Sequence, residues 1–110
     1  MSLYYRDADV ALVCFDLGSG KTFESVDYWI KEIDKNCSED RIIALAGNKS
    51  DLEDSRRQVA LSQASEYSKQ NGIAIYHETS AKTGEGVSDI FEQIVNDVIK
   101  IKRRKMLNNS

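Results

Sequence analysis

Two short polar motifs carry the side chains of this sequence that are best suited to bind a ligand. The first is Asn48-Lys49-Ser50-Asp51, and the second is Ser80-Ala81-Lys82 within the segment ETSAKTG. A carboxylate such as that of Asp51 can accept two hydrogen bonds from one planar edge that carries adjacent donors. Each motif directly follows an apolar run, so the pattern indicates two binding loops at the ends of two strands.

Guanine has a planar edge of this kind, because its ring N–H lies beside its exocyclic amine. Adenine places an acceptor at the matching ring position, where a carboxylate meets lone pairs and is repelled. Since an unpaired buried polar group is costly, such a contact discriminates strongly between the two bases. We therefore predict that Asp51 selects guanine over adenine. A polar turn without a ligand is the alternative for either motif taken alone.

The remaining motif residues have expected roles in the same hypothesis. The four-carbon stem of Lys49 can cover the plane of the base. The amide of Asn48 can tie the two loops together, and the small Ser80-Ala81 pair lets the Ala81 N–H reach the guanine carbonyl. Lys82 can cover the remaining edge. The predicted guanine-binding residues are therefore Asn48, Lys49, Asp51, Ser80, Ala81 and Lys82.

The elements that position these motifs follow from three apolar runs, each succeeded by a helical pattern. The runs cover Val10–Asp16, Arg41–Asn48 and Ile73–Glu78. The first helical pattern begins near Thr22, which is a possible N-cap. The second extends from 61 to a C-cap signal at Asn71-Gly72, and the third covers 87–101. Runs that are apolar throughout are typical of parallel strands covered on both faces. We expect an α/β, three-layer fold around a three-stranded parallel sheet, with the opening MSLYYR as the tail of another helix.

The segment DLGSGKT contains a Gly-Lys-Thr triplet, which is typical of a phosphate-binding loop. Such a loop requires G-x-x-x-x-G-K-[ST], and the position of its first glycine is occupied here by Phe15. We therefore interpret Gly18–Thr22 as an ordinary strand-to-helix loop. A phosphate site of the kinase type that depends on Lys21 is the alternative.

Composition limits the remaining classes of function. The chain has 110 residues, 41% of them apolar and 30% charged, with a net charge of −3, which does not favour nucleic acid. Cys14 and Cys37 lack metal-ligand spacing and are interpreted as reduced thiols of a cytoplasmic protein. His77 is expected to be structural. The basic cluster Lys100–Lys105 is either a solvated helix end or a patch with weak attraction to an acidic membrane.

The two motifs together resemble the guanine-recognition pair of Ras-superfamily small GTPases. The segments YYRDADVALVCFD, TFESVDYWIKEI and IIALAGNKSDL resemble the Rab branch, and the endosomal Rabs in particular. The resemblance covers residues 1–105, interpreted as a partial G domain, and leaves 106–110 as a polar tail. It implies GTP/GDP binding and a role in vesicle traffic, with intact members on the cytoplasmic face of endomembranes.

The resemblance also implies parts that this chain lacks. The phosphate-binding loop, the first switch, the D-x-x-G motif and the water-orienting Gln of the family have no counterpart here. We therefore expect the C-terminal half of the P-loop small-GTPase fold, with the fourth, fifth and sixth family strands and their flanking helices. We expect no catalytic residues, no ligands for the Mg²⁺ that the family uses, weak binding of GTP or GDP through the base alone, and no GTP hydrolysis by the chain alone.

The same comparison with the family leads to an expectation about packing. Without the neighbouring family strands, Val10–Asp16 becomes an open sheet edge, which favours a homodimer through that edge. A non-catalytic interaction module that uses this edge or helices 23–37 and 87–105 is the alternative function. The residues predicted to be buried are Ile42, Ala44, Ile73, Ile75, Phe91, Ile94 and Val98, with Leu12 and Cys14 less so.

Overall fold

Strands and helices alternate along the chain in the computed structural model, which describes residues 2–5, 10–36, 41–49 and 51–108. The strands are β1 (Ser2–Tyr5), β2 (Val10–Asp16), β3 (Ile42–Asn48) and β4 (Ile75–Thr79), and the helices are α1 (Gly20–Asn36), α2 (Leu61–Gln70) and α3 (Val87–Asn108). A short 3₁₀ turn, Asp54–Arg56, lies between β3 and α2. The predicted alternation of strands and helices is confirmed.

The sheet has the order β1-β2-β3-β4, and β2, β3 and β4 are parallel, as predicted. In the register of the sheet, Asp16 lies opposite Asn48, and Asn48 lies opposite Thr79. The carboxyl ends of the three parallel strands therefore meet at one edge of the sheet, and the loops that follow them are neighbours in space.

The amino-terminal segment forms a strand, so the interpretation of MSLYYR as the tail of a helix is wrong. β1 pairs antiparallel with β2, with Ser2 opposite Val13 and Tyr5 opposite Val10. Over these residues β2 is an inner strand, because β1 supplies partners for its main-chain N–H and C=O groups. The predicted open edge along Val10–Asp16 is therefore wrong over Val10–Val13. The homodimer expected through that edge stays a prediction.

Two apolar clusters cover the two faces of the sheet. Val13, Phe15 and Leu45 belong to the cluster beneath α1 and α2. Val10, Ala44 and Ile75 belong to the cluster beneath α3, together with Ile90 and Ile94. Because successive strand residues point to opposite faces, β2 and β3 supply both clusters at once, which explains why these runs are apolar throughout.

Most of the predicted core is buried in the structure. Ile42, Ala44, Ile73, Ile75 and Ile94 are buried, and Leu12 and Cys14 are half-buried, as expected. Phe91 is 50% exposed, which contradicts the prediction, and Val98 is only half-buried. α3 turns Ile90 and Ile94 toward the sheet, while Gln93 bonds His77 of β4 on one flank. Phe91 lies on the opposite flank, where the apolar stripe is wider than the contact with the sheet.

The helix ends differ in part from the predicted caps. α1 begins at Gly20, so Thr22 lies in its first turn instead of at the N-cap, and its hydroxyl accepts a bond from the Asp16 N–H at 2.9 Å. α2 ends at Gln70, with Asn71 as its C-cap and Gly72 following at a φ of 69°, as the C-cap signal predicts. None of the described helices has the length and hydropathy needed to cross a bilayer. Cys37 lies outside the described residues.

The turn between β4 and α3 depends on a glycine. Gly86 has a φ of 76°, and a Cβ added there would lie 2.2 Å from the main-chain oxygen of Glu78. Gly84 has a similar φ of 81°, yet a Cβ there would meet no atom within 4 Å. The two glycines share the same backbone requirement, but only Gly86 also needs the absence of a side chain.

Ile90 and Phe91, which are neighbours on α3, test which side of the helix faces the core. Ile90→Ala is expected to lower the free energy of unfolding by about 2–5 kcal/mol, because it leaves a cavity beneath the helix. Phe91→Ala is expected to cost less than about 1 kcal/mol, since the ring is half in solvent. Urea unfolding followed by circular dichroism measures both, and equal losses would contradict the orientation of α3 described above.

The two glycines allow a second matched comparison. Gly84→Ala is expected to destabilise by roughly 1–2 kcal/mol, which is the cost of a left-handed conformation for an L-residue. Gly86→Ala is expected to cost clearly more, because its methyl group also collides with the carbonyl of Glu78. Thermal unfolding of both variants separates these contributions, and a smaller loss for Gly86→Ala would refute the close approach.

Candidate functional site

The two predicted loops lie side by side at the carboxyl edge of the sheet. The Ser80 hydroxyl donates a hydrogen bond to Oδ1 of Asp51 at 2.7 Å, although the two residues are 29 positions apart in the chain. Asn48 and Lys49 stand at the end of β3, in the same loop as Asp51. The structure therefore brings the two motifs together; Ser50 lies outside the described residues.

The loop after β4 fixes the position of Ser80. The Ser80 side chain is fully buried, and its N–H donates to the main-chain oxygen of Glu85 at 2.9 Å. The Ser80 hydroxyl also accepts a bond from the Thr83 N–H at 3.1 Å, which leaves its proton to point at Asp51. Ala81 and Lys82 are exposed at the tip of this turn. The positive charge of Lys82 is close enough to Asp51 to lower the pKa of its carboxyl group.

Asp51 is an exposed carboxylate with a lowered pKa. The bond from Ser80 is the main cause, followed by the backbone N–H of Asp51 and by the positive charges of Lys82 and Lys49. The folded-state pKa lies below the usual value of about 3.9, so the ionised carboxylate stabilises the folded state. This contribution to folding stability is present at neutral pH and is lost as the pH falls through the folded-state pKa. Ser80 occupies one acceptor position of the carboxylate, and other lone pairs remain for a ligand.

Lys49 has a left-handed backbone conformation with a φ of 74°, which is uncommon for a residue with a side chain. Its main-chain oxygen accepts a bond from the Leu52 N–H at 3.0 Å, and its ammonium group pairs with Asp16 at 2.7 Å. Ser80 donates a bond that joins the two loops. The main-chain oxygen of Asn48 accepts a bond from the Leu17 N–H at 2.9 Å, and the tie predicted for the Asn48 amide stays a prediction. A cavity of about 420 Å³ adjoins this strand end.

Arg57 and Glu78 link the segment between β3 and α2 to strand β4, through a contact that the sequence does not indicate. The Arg57 guanidinium bonds both carboxylate oxygens of Glu78, one of them at 2.9 Å, and its Nε bonds the Val59 oxygen at 2.6 Å. The hydroxyl of Tyr76 donates to the same carboxylate at 3.0 Å. Burial raises the pKa of Tyr76, with a further increase from the charge of Glu78. No local sequence signal pairs an arginine with a glutamate 21 residues later.

The Gly18–Thr22 segment uses its polar groups within the fold. The Gly18 N–H bonds Asp16 Oδ1 at 2.8 Å, and the Gly20 N–H bonds the side chain of Gln58 at 2.8 Å. These bonds are those of a strand-to-helix loop. Across the part of the chain that the structure describes, no three His, Cys, Asp or Glu side chains are grouped so that they could hold a metal ion.

Comparison with known proteins identifies the family. The Ras family model matches residues 1–100. The chain is 40% identical to Ras-related protein Rab-5A of Dictyostelium discoideum over 89% of this chain and 48% of that protein. It is 40% identical to GTP-binding protein ypt5 of Schizosaccharomyces pombe over 84% of this chain and 43% of that protein. It is 37% identical to Ras-related protein RABF2b of Arabidopsis thaliana over 91% of this chain and 49% of that protein.

The chain thus spans about half the length of the curated relatives it matches. The family model covers nearly all of this chain, and the parallel sheet with its flanking helices agrees with a part of the P-loop GTPase fold. The relatives named above carry Rab-type or GTP-binding names. From the family model and these relatives together, the chain belongs to the Ras family and is a Rab-like small GTPase sequence.

Proposed function

We propose that this chain recognises the guanine base of GTP and GDP through the loops 48–51 and 80–82, as part of a Rab-type GTPase in vesicle traffic. The observation that supports the proposal best is the bond between Ser80 and Asp51. It holds the carboxylate of one motif against the buried serine of the other. A purine placed on Asp51 therefore meets the second loop at its other edge.

The carboxylate supplies the selectivity in this proposal. Asp51 accepts the ring N–H and the exocyclic amine of guanine with the lone pairs that Ser80 does not use. The Asp51 carboxylate, whose pKa is lowered further from its ordinary value, is ionised at neutral pH, and its charge strengthens both bonds. Adenine presents a ring acceptor at the same place, so its binding leaves the carboxylate unpaired.

The neighbouring residues complete the binding site. The Ala81 N–H donates to the guanine carbonyl, and Lys82 covers the outer edge of the base. The stem of Lys49 lies over the ring plane. Asn48 holds the end of β3 through its main-chain bond to Leu17, which fixes the origin of the loop.

Recognition of the base alone gives weak binding. Guanine has roughly 11 non-hydrogen atoms, and about −0.3 to −0.5 kcal/mol per atom gives roughly −3 to −6 kcal/mol. This corresponds to dissociation constants on the order of 0.1 to 10 mM. Phosphoryl transfer depends mainly on groups that position and stabilise the phosphates, and the residues assigned here contact only the base. The chain alone is therefore proposed to bind GTP or GDP weakly without hydrolysing it.

Association with a membrane is a minor part of the proposal. The cluster Lys100–Lys105 lies in the last turns of α3, where 102–105 are exposed. Such a cluster is attracted to anionic lipid, but a basic patch alone gives weak attachment. The proposed location is the cytoplasmic face of endomembranes, in keeping with the role in vesicle traffic.

A reversal of base preference tests the role of Asp51. In Asp51→Asn, one acceptor oxygen becomes an amide donor, which fits xanthine because xanthine has a carbonyl where guanine has its amine. We expect the ratio of GMP to AMP affinity to fall by about tenfold or more and the xanthine nucleotide to become the preferred ligand. Titrations followed by two-dimensional NMR measure these weak affinities.

The matched control is Glu53→Gln, which removes one negative charge from an exposed residue of the same loop. It is expected to leave the preference for GMP unchanged. An unchanged preference in Asp51→Asn, or an equal loss in both variants, would contradict recognition by the carboxylate.

The strength of binding provides a separate test. For the 110-residue chain we expect GDP to bind with a dissociation constant on the order of 0.1–10 mM, and GTP hydrolysis to stay at the buffer background. Isothermal titration at high ligand concentration and a phosphate-release assay measure the two quantities. Nanomolar binding of GDP would show that groups beyond the base contacts assigned here hold the nucleotide.

A further inference from the structure

We propose that Asp16 is a positioning residue for base recognition, acting through its ion pair with Lys49. Asp16 holds the ammonium group of Lys49 at the end of β2, so that the four-carbon stem of Lys49 lies across the ends of two strands as a wall of the base site. This inference rests on the proposed function. Asp16 lies in neither of the two motifs.

The anchor of this ion pair is fixed on both of its oxygens. Asp16 Oδ2 accepts the bond from Lys49 Nζ at 2.7 Å, and Oδ1 accepts the Gly18 N–H at 2.8 Å. The Asp16 N–H in turn bonds the Thr22 hydroxyl at 2.9 Å, which ties the residue to the first turn of α1. The carboxylate therefore has a single defined position in the fold.

The backbone and the side chain of Lys49 are held by different parts of the fold. Its side chain is 54% exposed, and a long flexible stem of this kind has no preferred position unless its head group is held. Its backbone has a φ of 74°, a conformation that persists only where the surroundings impose it. The loop imposes the backbone conformation, and Asp16 imposes the direction of the side chain.

The strand register gives the ion pair its direction. Asp16 is the register partner of Asn48, so the side chain of Lys49 crosses from β3 toward β2. Asp51 follows Lys49 by two residues and turns instead toward Ser80 of the loop after β4. The stem and the carboxylate that would contact the base are thus fixed from opposite sides, one by Asp16 and the other by Ser80.

Asp16 and Lys49 also line two cavities. The cavity of about 420 Å³ includes Thr22, Trp29 and Asn48 in its lining. A second cavity of about 360 Å³ includes Gly18, Leu52 and Arg56. Because both residues contribute to both cavities, the pair stands at their common boundary. Release of the lysine would open this boundary.

The positive charge of Lys49 also lowers the pKa of Asp16, chiefly through the hydrogen bond, with a smaller contribution from the Gly18 N–H. The Asp16 carboxylate is therefore ionised at neutral pH. The pair is solvent-accessible, and accessible ion pairs contribute little to global stability. Its loss is therefore expected to change the order of the site more than the stability of the fold.

A double-mutant cycle tests the proposal. In Asp16→Asn we expect the ratio of GMP to AMP affinity to fall about threefold to tenfold, with nearly unchanged urea unfolding. The ratio is used because both nucleotides carry the same phosphate charge, so the lost negative charge affects both equally. A base that no longer packs against the Lys49 stem is less well aligned with Asp51, and this misalignment weakens the binding of guanine but not that of adenine, which does not bond the carboxylate. In Lys49→Met, which keeps an apolar stem without the ammonium group, a further Asp16→Asn change is expected to have no additional effect.

The control variant is Asp27→Asn, which removes another Asp–Lys contact, the 2.9 Å pair with Lys31 on α1. It is expected to leave the GMP to AMP ratio as in the wild type. An unchanged ratio in Asp16→Asn would overturn the positioning role while leaving guanine recognition intact. An equal loss in the Lys49→Met background would also overturn it, because Asp16 would then act independently of Lys49. If the wild-type chain shows no preference for GMP, the proposed function fails, and the role of Asp16 fails with it.

Discussion

The hydrogen bond from Ser80 to Asp51 is the interaction on which the candidate site depends. It joins two loops that are separated by 29 residues of chain, and it does so because β3 and β4 are adjacent and parallel. Ser80 is buried and bonded on both its main chain and its hydroxyl, whereas Asp51 is exposed to solvent. A rigid donor thus fixes a carboxylate that remains open to a ligand. This combination of order and access is what selective recognition of a flat polar edge requires.

Two ion pairs hold the segment between β3 and α2 from either side, one to the end of β2 and the other to β4, and they differ in what they can contribute. The pair of Arg57 with Glu78 is mostly buried and has two hydrogen bonds. The Tyr76 hydroxyl donates to the same carboxylate, so the positions of these side chains are strongly fixed. The pair of Lys49 with Asp16 is more exposed, so its effect is mainly on the direction of one side chain. Both pairs involve residues at or just beyond the ends of parallel strands. Charged groups gather there because the main chain leaves the sheet and water has access.

The two faces of the sheet are covered unequally. α1 and α2 pack on one face, while α3 covers the other face from the side of β3 and β4. Leu12 and Cys14 of β2 are therefore only half-buried, and the flank of α3 that carries Phe91 and Val95 is exposed. Burial still raises the pKa of the Cys14 thiol, so the thiol stays protonated at neutral pH. The fold is thus most completely packed beneath α1 and α2.

The sequence by itself determined the features that depend on local pattern. The continuous apolar runs placed β2 and β3 almost to the residue, since strands covered on both faces need apolar side chains at every position. Asn71 and Gly72 marked the end of α2, because a left-handed turn is encoded by the residue types that tolerate it. The motifs around Asp51 and Ser80 followed from residue chemistry and from the parallel order of strands.

Only the tertiary structure decided the features that need a partner from a distant part of the chain. The pairing of β1 with β2 could not be read from MSLYYR, because the apolar content of so short a segment suits a helix end equally well. The exposure of Phe91 depends on how α3 rotates against β4, which its periodicity leaves open within the width of one apolar stripe. The partners of Glu78 and Lys49 lie 21 and 33 residues away. Such contacts arise from the arrangement of strands in space, so no local pattern of residues specifies them.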